Sequence, residues 1–214
     1  MDGIILIDKP SGITSHKVIE IVRKKLGIKK VGHAGTLDPL ATGLLVVMLG
    51  KSTKLSNQLM GQPKTYEVEI KLFIETDTGD ITGKVIKQEN PKNIKEEEIK
   101  LVINFFNNYE YWQQPPIYSA IKIKGKKLYE YVRQNISVEI PSRLVKIEEI
   151  KLLNYSPKLE RMKFLVKCSK GTYVRSLMKD LVEKLETVAT VSELRRISSG
   201  DFNINNSLKL EEIK

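Results

Sequence analysis

The residues best suited to chemistry lie in GHAGTLDPLATGLL, Gly32 to Leu45, where a lone acid, Asp38, shares a glycine-rich turn with one of only two histidines, His33. An Asp-Pro pair opens turns, and an Asp at a turn or helix cap commonly serves the backbone alone. The alternative is a carboxylate presented for reaction, with Gly32, Gly35 and Gly43 permitting sharp turns and close approach of a ligand to the backbone. Phosphate cradling is a poor match, because neither GxxxxGK(S/T) nor GxGxxG spacing is present. Metal binding is poorly served as well. His33 and Asp38 have no further soft ligands beside them, and one cysteine, Cys168, with two histidines points away from a zinc site.

An alternation of strands and helices has to hold this turn. Ile4 to Ile7 reads as a buried strand ended by Lys9-Pro10-Ser11-Gly12. Thr14 or Ser15 caps a helix with Val18, Ile19, Val22 and Leu26 on its apolar face and Gly27 as its stop. The apolar run Leu44 to Leu49 reads as a strand, and Lys51 to Met60 as a short helix. From Tyr66 the pattern alternates strictly, with Tyr66, Val68, Ile70, Leu72 and Ile74 on one face of a half-buried strand. ETDTGDITGKVI then turns into a partner strand. Lys95 to Phe106 reads as an amphipathic helix with Ile99, Val102, Ile103 and Phe106 inward. Two strand-like runs, Ile117 to Ile123 and Leu144 to Leu153, bracket a basic helix over Lys126–Gln134. Met162 to Cys168 alternates as a strand, and Lys170-Gly171-Thr172 leads into a helix with Val174, Leu177, Leu181 and Leu185 at helical spacing. Strands and helices mixed without regular βαβ alternation predict an α+β fold.

At 214 residues the chain suits one domain with a core large enough to need no disulfide. The apolar run near the N-terminus is too short for a signal sequence or membrane span, so a soluble cytoplasmic protein is expected. Lys and Arg total 36 against 26 Asp and Glu, a net charge of +10. An excess of that size suits a polyanionic partner, unless the Lys- and Ile-rich composition reflects the base bias of the genome. Lys122 to Gln134 interleaves cations with Tyr129 and Tyr131, a mixture that fits the phosphates and exposed bases of RNA.

GHAGTLDPLATGLL closely resembles the catalytic motif of the TruB family of tRNA pseudouridine synthases. IDKPSGITSH, PKTYEVEIKLFIETDTGD, QQPPIYSAIKIKGKKLYEYVRQ, CSKGTYVRSLMKDL and SELRRISSGDF resemble further blocks of that family in the same order, from Asp2 to about Phe202. The resemblance implies a pseudouridine synthase fold: a mixed, mostly antiparallel central sheet flanked by helices, with a basic RNA-gripping insertion over about 112–140. It also implies conversion of uridine to its C-glycoside at position 55 in the T-loop of tRNA, by base flipping and without a cofactor.

The family's catalytic Asp maps onto Asp38, which must be ionised to act. A free Asp has a pKa of ~3.9; burial raises it by up to ~3–5 units and a nearby cation offsets ~1–3 of those. The resemblance supplies that cation as Arg175, which otherwise reads as an exposed charge in the first turn of a helix. It assigns Tyr66, otherwise a core aromatic, to stacking on the target base and to catalysis. Flipping a base costs about a few kcal/mol and one stack returns about 1–3, so a second aromatic, Tyr173, and an apolar wall, Leu194, are implied with it. His33, otherwise a turn histidine, is expected to fill the space that the extruded nucleotide leaves. Lys122, Lys124, Lys126, Lys127 and Arg133 are expected against the RNA backbone.

The chain stops about where the family's C-terminal RNA-binding PUA domain would begin, so a single catalytic domain over 1–214 is expected. A monomer with no obligatory protein partner, gripping the tRNA T-arm by shape, is the expected working form. The alternatives are a guide-RNA-directed relative, or a tRNA-folding chaperone with little catalysis.

Overall fold

A computed structural model describes residues 1–119, 122–123, 126–128, 131, 134 and 138–213. In chain order the elements begin β1 (Gly3–Lys9), α1 (Ser15–Leu26), β2 (Val31–His33), β3 (Thr42–Leu49), α2 (Ser56–Met60) and β4 (Lys64–Leu72). Next come β5 (Ile74–Thr76), β6 (Val85–Gln88), α3 (Glu96–Phe106), β7 (Tyr109–Gln113), β8 (Lys122–Ile123) and β9 (Lys126–Lys127). The remainder is β10 (Arg143–Ser156), β11 (Arg161–Cys168), α4 (Val174–Glu183), β12 (Ala189–Ser199) and β13 (Phe202–Asn203). The chain divides into two compact units. One holds Met1–Val68, Leu165–Lys170 and Glu193–Lys214; the other holds Glu69–Phe164 and Gly171–Ser192.

In the first unit the strand order is β1-β3-β12-β4-β11, with β2 also on β3. β1 and β3 are antiparallel from Gly3↔Leu49 to Lys9↔Gly43. β3 is buried from Gly43 to Leu49, which is why its sequence is an unbroken apolar run and not an alternation. Leu45, Val47 and Leu49 pack with Ile7 and with Val18, Ile19 and Val22 of α1, while Leu44, Val46 and Met48 pack with Ala34. Each such side chain contributes about 1.5–3 kcal/mol on burial. The Thr14 hydroxyl accepts the Lys17 N–H at 3.0 Å to start α1, and Gly27 ends it at φ 65. β12 lies parallel to β3 with Arg196 opposite Gly43. Gly43 has φ 98, and a Cβ there would run into the Arg196 backbone, so only glycine fits.

In the second unit the order is β12-β4-β11-β10-β7, with β5 and β6 as a separate hairpin. α3 buries Ile99, Val102, Ile103 and Phe106, the four residues its periodicity singles out. β7 and β10 are antiparallel from Arg143↔Gln113 to Ile147↔Tyr109. The mixed, mostly antiparallel sheet with flanking helices is the α+β architecture that the sequence predicts.

The structure corrects several local expectations. The alternation that starts at Tyr66 stops at Leu72: Phe73 takes φ 65, and Ile74 belongs to β5, paired with Gln88. Ile117 to Ser119 is not strand, and Lys126–Lys127 forms β9 where a helix is expected. Most of the expected Lys126–Gln134 helix lies outside the described residues. Lys51 to Met60 is a 3-10 segment over Gly50–Leu55 followed by α2. Strands β2, β7, β12 and β13 were not anticipated. β7 follows a chain reversal at Asn108, φ 55, and its Trp112 and Gln113 stand where the basic insertion is expected to start. β12 carries the SELRRISS run.

Candidate active site

Asp38 sits in the loop between β2 and β3, and the loop before α1 clamps it. Lys9, whose side chain is fully buried at the end of β1, donates to the carbonyls of Pro10 at 2.9 Å, Ile13 at 2.7 Å and Pro39 at 3.3 Å. The Gly12 N–H donates to the Pro39 carbonyl at 2.9 Å, and the Ser11 hydroxyl to the Leu40 carbonyl at 3.0 Å. The Ser15 hydroxyl accepts the Leu37 N–H at 2.8 Å and donates to the Leu37 carbonyl at 3.2 Å. The residues on both sides of Asp38 are thereby fixed, and the Asp38 residue itself stays partly accessible. A backbone held like this has little freedom left to lose when the Asp38 side chain meets a substrate.

Arg196 lies under the same loop with 1% of its surface exposed. Its Nε donates to the Leu44 carbonyl at 2.7 Å and its Nη2 to the Gly35 carbonyl at 3.1 Å. Burial pushes the Tyr66 phenol up from its ordinary 10, a push that Arg196 opposes and Asp38 reinforces, so Tyr66 is a neutral hydroxyl at physiological pH. Burial lowers the Lys9 ammonium to about 8, with Asp38 opposing that shift and Arg196 adding to it. Lys64, on the same face of β4 as Tyr66, is lowered to about 8 by burial and by Arg196. Its ammonium donates to the carbonyls of Met60 at 2.7 Å and Gln62 at 2.5 Å. One carboxylate, one phenol and three cations therefore share an electrostatic neighbourhood.

His33 ends β2, and its buried Nδ1 has no partner at normal hydrogen-bond geometry among the described residues. Burial, with Arg196 adding, holds its pKa below the usual 6.5, so the ring is neutral at physiological pH. Leu194, in β12, is 8% exposed. Of the residues expected to act, Asp38, Tyr66, His33 and Leu194 belong to the first unit.

Arg175 and Tyr173 belong to the second. Arg175 opens α4 yet is buried. Its guanidinium donates to the Thr78 carbonyl at 2.5 Å and the Tyr118 carbonyl at 3.1 Å, and lies 3.6 Å from the Asp80 carboxylate. Asp80 is fixed in turn: its Oδ1 accepts from the Thr78 hydroxyl, the Thr82 N–H and the Thr82 hydroxyl. The anionic partner explains how a cation sits at a helix N-terminus, where the dipole disfavours it. Tyr173 caps α4, with the Arg143 guanidinium 5.3 Å from its ring centre.

Sequence reasoning missed Lys9, Arg196, Asp80 and Gln113 as site builders. The Lys9-Pro10 step after a buried strand was a usable signal, whereas Arg196 turns inward only because β12 alternates Arg195 outward and Arg196 inward. Lys122, Lys126 and Lys127 lie in β8 and β9; Lys124 and Arg133 lie outside the described residues. Among the described residues no group of three or more His, Cys, Asp or Glu could hold a metal ion, and no helix is long and apolar enough to cross a membrane.

Comparison with known proteins follows the same lines. Residues 23–174 match the TruB family pseudouridylate synthase N-terminal domain, and 175–214 match the tRNA pseudouridylate synthase B C-terminal domain. The chain is 47% identical over 209 residues to tRNA pseudouridine synthase B of Mesoplasma florum, covering 98% of this chain and 72% of that one. It is 45% identical to the protein of the same name from Ureaplasma urealyticum, covering 99% of this chain and 92% of the other. The crystal structure of a Cbf5-Nop10-Gar1 complex contains a chain that superposes with a TM-score of 0.75 at 30% identity. That match covers 98% of this chain and about half, 53%, of the other.

Proposed function

The chain belongs to the TruB family of pseudouridylate synthases, and from that membership we propose that it isomerises uridine 55 in the T-loop of tRNA to pseudouridine. The observation that carries the reading is the Asp38 loop, whose backbone on both sides of the carboxylate is clamped by Lys9, Gly12 and Ser15, within electrostatic reach of a neutral Tyr66 hydroxyl. The reaction breaks the bond between ribose C1′ and uracil N1, turns the base, and forms a bond from C1′ to uracil C5. The hydrogen on C5 leaves as a proton, and a proton is taken up at N1. Atoms balance without an oxidant or cofactor.

Asp38 is the catalytic carboxylate in this reading, acting on the sugar, on the base or on a sugar proton. Tyr66 and Tyr173 offer aromatic faces to the flipped uracil, and Leu194 offers an apolar surface. Neutral His33 fills the position the nucleotide vacates, and Arg175 is the cationic member of the set. The Lys122–Gln134 segment grips the RNA backbone. Identity of 45–47% to proteins named tRNA pseudouridine synthase B, against 30% to the chain in the Cbf5 complex, favours action on tRNA without a guide.

The test is tritium release from an unmodified tRNA transcript labelled at uracil C5, with purified protein and no guide RNA, comparing wild type with Asp38→Asn. Release by wild type alone supports the reading and the carboxylate together. Release by both moves catalysis away from Asp38. Release by neither, with tRNA bound, favours the chaperone reading; activity appearing only with a guide RNA favours the guided one.

A further inference from the structure

The geometry points to Gln113 and Arg143 as a two-handed clamp that positions Tyr173, and through it the start of α4. The inference rests on the reading of Tyr173 and Arg175 given above. Gln113 ends β7 and Arg143 begins β10, and they are direct partners in the antiparallel register. Residues directly opposite in an antiparallel pair project from the same face. Here both project onto one residue.

Gln113, 1% exposed, takes the backbone. Its Oε1 accepts the Tyr173 N–H at 2.8 Å, and its Nε2 donates to the Tyr173 carbonyl at 3.2 Å. A side-chain amide thus pairs with a main-chain residue as a neighbouring strand would. Arg143 takes the ring, with its guanidinium carbon 5.3 Å from the ring centre. Gly171 lies alongside, and its φ of 78 is the backbone conformation that favours glycine.

The direction of the Gln113 amide is set from further away. Its Nε2 also donates to the Tyr111 hydroxyl at 2.9 Å, and that hydroxyl donates to Asp180 Oδ2 at 2.7 Å. An ionised carboxylate can only accept, so the Tyr111 proton points at Asp180. The Tyr111 oxygen is then left to accept from Gln113. With Nε2 turned that way, Oε1 must face the Tyr173 N–H. Asp180 lies in α4, so the chain of bonds starts and ends on the segment it orients. Turning the amide would set a donor against the Tyr173 N–H and an oxygen against the Tyr173 carbonyl, which already accepts the Leu177 N–H at 3.0 Å.

Gln113 and Arg143 are positioning residues: neither has to touch substrate. Misplacing a reacting group by 1 Å costs about 100-fold in rate. Gln113→Glu keeps the shape but loses both donors, and Arg143→Met keeps bulk but loses the planar cation. Each is expected to lower kcat for pseudouridine formation about ten- to hundred-fold, leaving KM for tRNA within about threefold. In a Tyr173→Ala background the Arg143→Met loss should disappear, because its target ring is gone. Arg143→Lys should recover activity only in part.

Amide hydrogen exchange of the 170–178 segment supplies a readout independent of activity. Gln113→Met, which removes the acceptor of the Tyr173 N–H as well as the donors, should speed exchange at Tyr173, while exchange in α1 stays at wild-type rates. The clamp is overturned if both single variants keep kcat within threefold of wild type, or if Gln113→Met leaves Tyr173 exchange unchanged. It is also overturned if Arg143→Met costs as much without the Tyr173 ring as with it. An inactive wild type would sink the proposed function, and the exchange result would still decide the clamp.

Discussion

Arg175 and Asp80 face one another across 3.6 Å with both side chains more than nine-tenths buried. Removing one member of such a pair strands the other charge, at a cost of about 3–5 kcal/mol. In a chain of this length 1 kcal/mol corresponds to about 2–4 °C in melting temperature. Asp80→Ala is therefore expected to lower Tm by roughly 10 °C. Asp80→Ala combined with Arg175→Met should recover much of it. A thermal melt decides, and a drop under 2 °C for the single variant would show that the backbone carbonyls alone satisfy Arg175.

Gly43 and Gly27 both have positive φ, but their surroundings differ. A Cβ at Gly27 meets open space, so Gly27→Ala carries backbone strain alone, about 1 kcal/mol. At Gly43 the added carbon meets the Arg196 backbone on the neighbouring strand. Gly43→Ala is expected to cost several times as much, on the order of 3 kcal/mol or more. Urea unfolding of the two variants side by side measures the contrast; equal midpoints would refute it.

Lys9 and Lys64 give stability an unusual alkaline dependence. Both titrate at about 8 in the folded protein against 10.5 ordinarily, because burial penalises the charge. Below pH 8 both states are protonated and the whole penalty is felt. Between pH 8 and 10.5 the unfolded chain binds more protons than the folded one, so each lysine's contribution rises with pH. At about 1.4 kcal/mol per pH unit, each penalty is ~3 kcal/mol. Lys9→Met and Lys64→Met should each flatten the rise in unfolding free energy over that window. A slope unchanged by both substitutions would place the lysines nearer 10.5.

Affinity for tRNA should fall steeply with salt. If about five phosphates are contacted, binding weakens roughly 100- to 1,000-fold between 50 and 200 mM salt. Neutralising Lys122, Lys124, Lys126, Lys127 and Arg133 together should remove most of that slope without altering Tm. Filter binding across a salt series measures it; an unchanged slope would put the RNA backbone elsewhere on the chain.

The sequence by itself determined the segments whose fate depends on local pattern. The apolar run of β3, the 3.6-residue periods of α1, α3 and α4, and the Thr14 and Gly27 caps each follow from propensity and burial within a dozen residues. It also singled out Asp38, through the resemblance of its turn to a family motif, where the residue types alone read as a structural Asp-Pro turn. Tertiary structure decided which charges are buried. Lys9, Arg175 and Arg196 look like surface cations in the sequence, and each has partners remote along the chain, carbonyls or an acid: Pro39 for Lys9, Thr78 and Asp80 for Arg175, Gly35 and Leu44 for Arg196. A buried charge is tolerable only where such partners converge. That convergence comes from strand register and loop closure, which no local pattern encodes.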